Sequence, residues 1–289
     1  MTSSWKTSRV LLSSVLLLGL SVFSIAPVAG FGELLRGFDV PAFAKHPGYF
    51  PVGVAFDGKN LWYSQPSISA KDSPGLFLIT TTGTLLRTLS LLFPEAAGGG
   101  VAWDGSNLWV ASFQSTLTGA TVSQVSVGST PAVLKTLNLD PIFAPDNECA
   151  IIDGLDFDAS TGTLWVSPDV GCNQASLSGK FGVAYNIDTS GNLIQRVQFA
   201  FSVSGVAKVG RNLYVVDRFG GNIDQVDLKG NVISSFPISK FENPSQWAED
   251  LAFDPSTFKG CALWAMQPYS QPHVFLDSAA LAAYHIDCP

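Results

Sequence analysis

The feature that most constrains this chain is a short motif that occurs five times. The first copy reads GVAFDGKNLWYS from Gly53, and the later copies begin at Gly100, Gly154, Gly205 and Asp250. In most copies two apolar runs flank a short segment rich in Asp, Gly, Ser and Asn, which is typical of a β-hairpin. The copies are spaced by about 45 to 55 residues, a period that indicates a repeat architecture.

Further apolar runs follow the hairpin in each copy. A third strand is expected in all five repeats and a fourth in the first four. The fifth repeat reaches the end of the chain before its fourth strand, whereas residues 33–41 read like a fourth strand without a repeat. We therefore predict an all-β, five-bladed β-propeller of four-stranded antiparallel blades, in which the N-terminal strand closes the last blade. A six-bladed ring, which needs a sixth repeat, is the alternative.

The first 30 residues have the features of an export signal. Lys6 and Arg9 precede an apolar run at residues 10–23, and small residues follow, as in a cleavable signal peptide. We expect residues 31–289 to form a single domain in a secreted or periplasmic protein. Without the two basic residues of the signal, 14 basic and 23 acidic residues give a net charge of −9. This charge argues against nucleic acid as a partner, and no later segment predicts membrane insertion.

Four cysteines in an exported chain indicate two disulfides, for which three connectivities exist. The strand layout selects local pairs. Cys149 precedes the first strand of the third repeat and Cys172 follows its second strand, so both lie at one end of an antiparallel pair. Cys261 opens the second strand of the fifth repeat and Cys288 ends the third. We expect disulfides between Cys149 and Cys172 and between Cys261 and Cys288.

Residues that recur in the repeats are expected to serve the fold. Aromatic side chains recur in the first and second strands, where each blade must bury both faces against its neighbours. The aspartates of the hairpin turns are expected to cap those turns. The aromatic set is Phe56, Trp62, Trp103, Trp109, Phe157, Trp165, Tyr214, Phe253 and Trp264, and the turn set is Asp57, Asp104, Asp158 and Asp254.

Departures from the repeat indicate where a ligand could bind. At the position before the repeat's first glycine, three copies carry Val, Gly or Ser, whereas the other two carry Asp153 and Glu249; Asp250 then replaces the glycine itself. A structural ring does not require carboxylates there. Charged residues also follow second strands, which should end at the same face. The predicted ligand-binding set at this acidic channel mouth is Asp153, Asp169, Asp217, Arg218, Glu249 and Asp250.

Two kinds of chemistry would fit such a mouth. Asp153, Asp217 and Glu249 could hold Ca²⁺ through carboxylate oxygens. His46, His273 or Glu249 could act as a general base, and these three are the candidate catalytic residues. The sequence contains no nucleophile elbow, no H-E-x-x-H, no C-x-x-C and no Walker loop.

Two segments carry a resemblance to known propellers. NLYVVDRFGGNIDQVDLKGNVISSF at residues 212–236 resembles an NHL-type repeat, and VAWDGSNLWVAS at residues 101–112 resembles repeats of exported YncE-like and virginiamycin B lyase-like propellers. The resemblance covers all five repeats and implies the propeller fold. A more distant similarity to the SMP-30/gluconolactonase hydrolases implies a divalent metal held by a Glu, two Asn and an Asp around the channel. Glu249 and Asp217 match the two acids, and the loop candidates for the amides are Asn147, Asn173 and Asn222.

These features favour an exported binding or scaffold module that presents its loop face to a protein, a glycan or a small molecule. The alternative is a metal-dependent, lactonase-like hydrolase or lyase at the acidic channel mouth, with Ca²⁺ as the expected cation.

Overall fold

The structure is a computed structural model. It describes residues 29–40, 51–66, 75–90, 97–114, 117–169, 178–238, 247–269 and 278–289. These residues form an all-β, propeller-like arrangement of antiparallel sheets with one short α-helix. Most of the expected export signal, residues 1–28, lies outside the described residues.

Each repeat supplies four strands, except the fifth, which supplies three. A strand β1 (Leu34–Asp39) precedes the repeats. The first repeat contains β2 (Val54–Phe56), β3 (Asn60–Gln65), β4 (Gly75–Thr80) and β5 (Leu85–Ser90), and the second β6 (Ala97–Trp103), β7 (Asn107–Gln114), β8 (Thr121–Ser126) and β9 (Val133–Asn138). The third contains β10 (Ala150–Asp158), β11 (Thr163–Pro168), β12 (Gly182–Asp188) and β13 (Leu193–Phe199). The fourth contains β14 (Val203–Val209), β15 (Asn212–Asp217), β16 (Asn222–Val226) and β17 (Val232–Pro237), and the fifth β18 (Leu251–Phe258), β19 (Gly260–Tyr269) and β20 (Ser278–Ile286).

Strand pairing follows the repeats. The first and fourth repeats each form a four-stranded antiparallel sheet in chain order. The second and third join into one eight-stranded sheet, because Ala150 and Ile151 of β10 pair with the end of β7. The predicted N-terminal strand is present as β1, which runs antiparallel to β20, with Leu34 opposite Tyr284 and Asp39 opposite Ala280. The fifth repeat and β1 thus form a sheet in the order β1-β20-β19-β18.

The first strands of the repeats, hereafter the inner strands, are β2, β6, β10, β14 and β18. They lie beside one another in this order, and β18 also contacts β2. Buried apolar clusters fill the spaces between successive repeats from the first to the fifth. A further cluster joins the fifth repeat to the first, where Trp264 and Leu281 share a core with Val54 and Tyr63.

The recurring residues serve the fold as expected. The second-strand aromatics are at most 3% exposed, which confirms their prediction as core residues, and the first-strand aromatics are partly buried. The turn aspartates cap their hairpins: Asp57 Oδ1 accepts the N–H groups of Lys59 and Asn60 at 3.0 and 2.7 Å. Asp104 and Asp254 do the same in their turns and also accept a hydrogen bond from a tryptophan indole N–H.

The outer edges carry a second recurring contact. A side chain of the outermost strand in one sheet donates a hydrogen bond to a carbonyl in a turn of the next repeat. The pairs are Arg36–Thr81, Arg87–Val127, Lys135–Thr189 and Gln195–Leu228. Because the residues within each pair belong to neighbouring repeats, with β1 counted in the sheet of the fifth, these bonds tie the repeats together at the rim as the apolar clusters do inside.

One helical segment was not expected from the sequence. Helix α1 (Asp140–Phe143), with Pro141 in its first turn, leads into a 3₁₀ turn (Ala144–Asp146) before β10. The Asp140 carboxylate accepts the N–H groups of Gly119 and Ala120, which anchors the segment to the loop before β8. A four-residue helix has no room for the periodic pattern that identifies longer helices in a sequence. Nowhere in the described ranges is a helix long and apolar enough to span a bilayer.

The C-terminal disulfide is confirmed, because Cys261 and Cys288 are bonded across 27 residues of sequence. Cys149 is also disulfide-bonded. Its expected partner, Cys172, lies outside the described residues, so this second pairing stays a prediction.

Removing the C-terminal disulfide should destabilise the protein. For a closed loop of this length, chain entropy predicts a loss of about 3–4 kcal/mol in the free energy of unfolding. Denaturant unfolding of a Cys261→Ala/Cys288→Ala variant, compared with the parent before and after reduction by dithiothreitol, measures this loss. Equal stability of variant and oxidised parent would show that strand pairing alone holds the C-terminus.

Asp156 links two inner strands and should make stability depend on pH. Its Oδ2 accepts the N–H of Lys208 in β14 at 2.6 Å. Burial raises the pKa of Asp156 from 3.8 to about 6. The folded state therefore binds the proton more tightly than the unfolded chain, and stability falls as the pH rises from about 4 to 6. Asp156→Asn, whose amide oxygen can keep the bond, should lose less stability over this interval, as urea unfolding at pH 4, 5, 6 and 7 would measure. An identical pH dependence in both proteins would exclude Asp156 as the titrating group.

Candidate functional site

The position before the repeat's first glycine forms a buried layer around the inner strands. Val52 and Ser204 are fully buried there, and Asp153 and Glu249 are each 2% exposed. Asp153 and Glu249, the two carboxylates that depart from the repeat, are therefore buried and not on the surface. An ionised carboxylate that is buried needs a partner.

Asp250 forms the floor beneath this layer. Its Oδ2 accepts the backbone N–H groups of Val54 and Val101 at 3.1 and 3.2 Å, and its Oδ1 accepts those of Leu155 and Leu251 at 3.2 and 2.9 Å. One buried carboxylate thus connects β2, β6, β10 and β18. Burial raises the pKa of Asp250 above its usual range, and the four N–H donors oppose that rise. Both oxygens are engaged by backbone groups, so Asp250 closes the axis between the inner strands.

The glycines at the same position in the other repeats allow this close approach. A Cβ on Gly53 would lie 2.6 Å from the N of Val101, and one on Gly154 would lie 2.6 Å from the N of Val206. A Cβ on Gly205 would lie 2.9 Å from the Cα of Asp250 itself. Separations under 3 Å are not tolerated by real Cβ atoms. Only the fifth repeat has a side chain at this position, and that side chain points between the other strands.

Asp153 and Glu249 interact with each other within this buried layer. Burial raises the pKa of Asp153 well above its usual value, and the negative charges of Asp169 and Glu249 raise it further. Burial also raises the pKa of Glu249, although the positive charge of Arg218 opposes this. Burial and the negative charge of Asp169 thus raise the pKa of both carboxyl groups.

Arg218 and Trp247 hold the other side of Glu249. The Arg218 Nη1 donates to Glu249 Oε1 at 3.2 Å, and the Trp247 Nε1 donates to the same oxygen at 2.6 Å. The Arg218 guanidinium carbon lies 4.2 Å from the centroid of the Trp247 ring, a cation–π contact. The cluster thus already contains one cation, held by an aromatic face and a carboxylate.

Two acceptor atoms of the cluster have no partner in the part of the chain that the structure describes. They are Asp153 Oδ2 and Asp169 Oδ1, and both are buried. Asp169 follows β11, and its backbone N–H donates to the Ile151 carbonyl at 3.0 Å, which places the residue beside the start of β10. Buried acceptors without a donor are uncommon in native proteins and indicate a missing partner.

The structure brings together Asp153, Asp169, Glu249 and Arg218 from the predicted set and places Asp250 directly below them. Asp217 is engaged elsewhere, because its Oδ1 accepts the N–H groups of Phe219 and Gly220 in its own turn. Trp247 was missed, since it lies outside the repeated motif and no periodic pattern marks it. His46, His273 and Asn173 lie outside the described residues. Asn147 occupies a left-handed turn after the 3₁₀ segment, and Asn222 starts β16 opposite Asp217.

The donor set does not make a metal centre by itself. Among the described residues, no group of three or more His, Cys, Asp or Glu side chains is arranged to hold a metal ion. The predicted Ca²⁺ set of Asp153, Asp217 and Glu249 therefore does not come together as a ready site. The arrangement offers buried hydrogen-bond acceptors and one internal cation.

No protein-family model matches the chain, and no curated protein matches it. Solved structures do. The tail fibre of Staphylococcus aureus phage P68 aligns with a TM-score of 0.52 at 11% identity, covering 86% of this chain and 52% of that chain. The PQQ-bound form of aldose sugar dehydrogenase from Streptomyces coelicolor aligns with a TM-score of 0.49 at 12% identity, covering 90% and 99%. The calcium-binding protein regucalcin from Agrobacterium tumefaciens aligns with a TM-score of 0.47 at 13% identity, covering 92% and 99%. At such identities the likeness concerns the fold alone.

Proposed function

We propose that the chain is an exported, closed five-bladed propeller of the NHL/YncE-like type that binds a ligand at one face. The five-blade count is supported by the apolar clusters between successive repeats and by the cluster that joins the fifth repeat to the first. Closure by the N-terminal strand is supported by the pairing of β1 with β20. A six-bladed ring would need another repeat between these sheets.

The observation that carries the binding function is the buried acidic cluster with unpartnered oxygens. Asp153 is 2% exposed, its Oδ2 lacks a partner in the described part of the chain, and it faces two further carboxylates. Such an arrangement destabilises a fold, since a buried acceptor without a donor costs about 1–3 kcal/mol. A ring that served only as a scaffold would not require such a destabilising arrangement. A bound ligand that supplies donors would offset this cost.

The position of the Asp250 carboxylate restricts where the ligand would lie. Asp250 lies between the inner strands with both oxygens engaged by backbone hydrogen bonds, so a ligand would approach Asp153 and Asp169 from the side away from Asp250. The module would hold its ligand in a blind recess at the channel mouth. A protein, a glycan or a small molecule with a projecting donor group would fit this description.

A metal-dependent hydrolase or lyase at the same mouth is the second candidate. It would use carboxylate oxygens of the type that Ca²⁺ prefers, which Asp153, Asp169 and Glu249 carry, although no three such side chains among the described residues are arranged to hold a metal ion. A metal assay by mass spectrometry on the purified protein, together with turnover of a lactone panel before and after EDTA, would separate the two candidates. Bound metal with EDTA-sensitive turnover would favour the enzyme.

Asp153→Asn should stabilise the unliganded protein at neutral pH. The raised pKa of Asp153 means that the parent loses stability as the pH rises above the usual range for aspartate, and the uncharged amide removes this loss. A melting curve at pH 7 for the parent, Asp153→Asn and the turn variant Asp57→Asn measures the effect. The variant should melt higher than both other proteins, as residues retained for function at the expense of stability do. A lower melting temperature would show that the carboxylate stabilises the fold.

Ca²⁺ can be tested in the same melting experiment. Added Ca²⁺ that binds the cluster raises the melting temperature of the parent by mass action and leaves an Asp153→Ala/Glu249→Ala variant unchanged. An equal shift in both proteins would place the Ca²⁺ elsewhere. A screen of sugars, amines and organic acids in this format tests binding at the mouth in general, because any true ligand must stabilise the parent more than the double variant.

A further inference from the structure

The acidic cluster is short of positive charge and of hydrogen-bond donors. Three carboxyl groups, those of Asp153, Asp169 and Glu249, face one guanidinium, that of Arg218. The guanidinium and the Trp247 indole both donate to the same oxygen, Glu249 Oε1. Neither donor reaches the unpartnered oxygens of the two aspartates. The missing donors and the missing positive charge therefore concern Asp153 and Asp169.

Among the described residues no donor reaches these two oxygens. The backbone N–H groups of Val54, Val101 and Leu155 already donate to Asp250. Asp153 is 2% exposed and its Oδ2 is fully buried, so bulk water does not reach this oxygen freely. A ligand that satisfies Asp153 Oδ2 and Asp169 Oδ1 would therefore carry its own hydrogen-bond donors.

We propose that this recess binds a primary alkylammonium group, from a free amine or from the side chain of a lysine, between Asp153 and Asp169. This inference rests on the proposed binding function and names its ligand class. An ammonium group is small, carries one positive charge and has three N–H donors. Two of them satisfy the two orphaned oxygens, while the alkyl chain leaves toward the mouth. Charge-assisted bonds of this kind are stronger than neutral ones.

Arg218 sets the orientation of the incoming group. It lies over the Trp247 ring and against Glu249, so the side of the cluster that attracts a planar cation is occupied. A second guanidinium would lack both an aromatic face and a free carboxylate edge there. The compact ammonium fits the remaining acceptors, which belong to two separate carboxyl groups and do not form the fork that a guanidinium prefers.

The test is isothermal titration calorimetry with n-butylammonium as the probe and tetramethylammonium as the control cation. Butylammonium should bind the parent and should bind Asp153→Asn and Asp169→Asn at least about tenfold more weakly, as the loss of a charge-assisted bond predicts. Asp57→Asn, an equally conservative change in a distant turn, should bind like the parent. Tetramethylammonium, which has no N–H donor, should not bind.

The outcomes separate this inference from the proposed function. Equal binding of butylammonium by the parent and both cluster variants, or equal binding of both cations, would overturn the inference. A blocked peptide with one central lysine, titrated in parallel, distinguishes a lysine side chain from a free amine as the preferred source. If no amine binds but another compound stabilises the parent and not Asp153→Ala/Glu249→Ala, the recess binds a different ligand class and only this inference fails.

Discussion

Replacing Asp250 by alanine is expected to lower the free energy of unfolding by about 4 kcal/mol or more. The substitution removes the acceptor of four buried backbone N–H groups, and each unsatisfied buried donor costs about 1–3 kcal/mol. It also leaves a void between strands that approach too closely for other side chains. Equilibrium unfolding in guanidinium chloride, followed by circular dichroism, measures the loss.

Two companion variants make the Asp250 result specific. Asp57→Ala removes a carboxylate that also accepts two N–H groups, but in an exposed turn where water replaces it, so its loss should be about 1 kcal/mol. Asp250→Asn keeps one oxygen and turns an NH₂ group toward two donors, so it should rank between the other variants. If Asp250→Ala unfolds like Asp57→Ala, the axis is not held by this carboxylate.

Gly53→Ala is expected to destabilise the protein by about 3 kcal/mol. The added Cβ would lie 2.5 Å from the Gly99 carbonyl oxygen and 2.6 Å from the Val101 nitrogen. Backbone atoms of a neighbouring inner strand cannot turn away as a flexible side chain can, so β2 and β6 must separate. Overpacking of this kind costs about 1–3 kcal/mol and occasionally more. Thermal and urea unfolding both measure the change.

Gly128→Ala is the matched control for Gly53→Ala. No atom lies within 4 Å of a Cβ built on Gly128, and its backbone does not have a positive φ. The control should change stability by no more than about 0.5 kcal/mol. Similar effects of the two substitutions would show that the inner strands are further apart than the structure places them.

The repeat architecture could be predicted because its signals are local. Each hairpin carries its own turn acid, as Asp57 and Asp104 illustrate, and each second strand carries its own aromatic residue, such as Trp109. These choices depend on a few neighbouring residues, so they recur visibly in the sequence. Helix α1 could not be predicted in this way, because it is only four residues long and is not part of the repeated motif.

The candidate site could be predicted only in part. Asp153, Glu249 and Asp250 were visible as departures from the repeat, but the sequence could not distinguish their roles. Asp250 directly follows Glu249 in the sequence. Its different role depends on the close approach of strands that are far apart in the chain. The contact of Arg218 with Trp247 joins a turn of the fourth repeat to the segment that precedes the fifth. No local pattern brings those two together.

The position of Asp250 in the chain also affects the order of folding. Its donors Val54, Val101 and Leu155 lie 196, 149 and 95 residues earlier in the sequence. Contacts of such separation form late, since a long stretch of chain must be ordered before they can close. A polypeptide that emerges N-terminus first presents the donors of β2, β6 and β10 before their common acceptor exists. A chain that stops before the fifth repeat therefore leaves the N–H groups of Val54, Val101 and Leu155 without this acceptor, so the last repeat to be synthesised completes the hydrogen bonding of the first three.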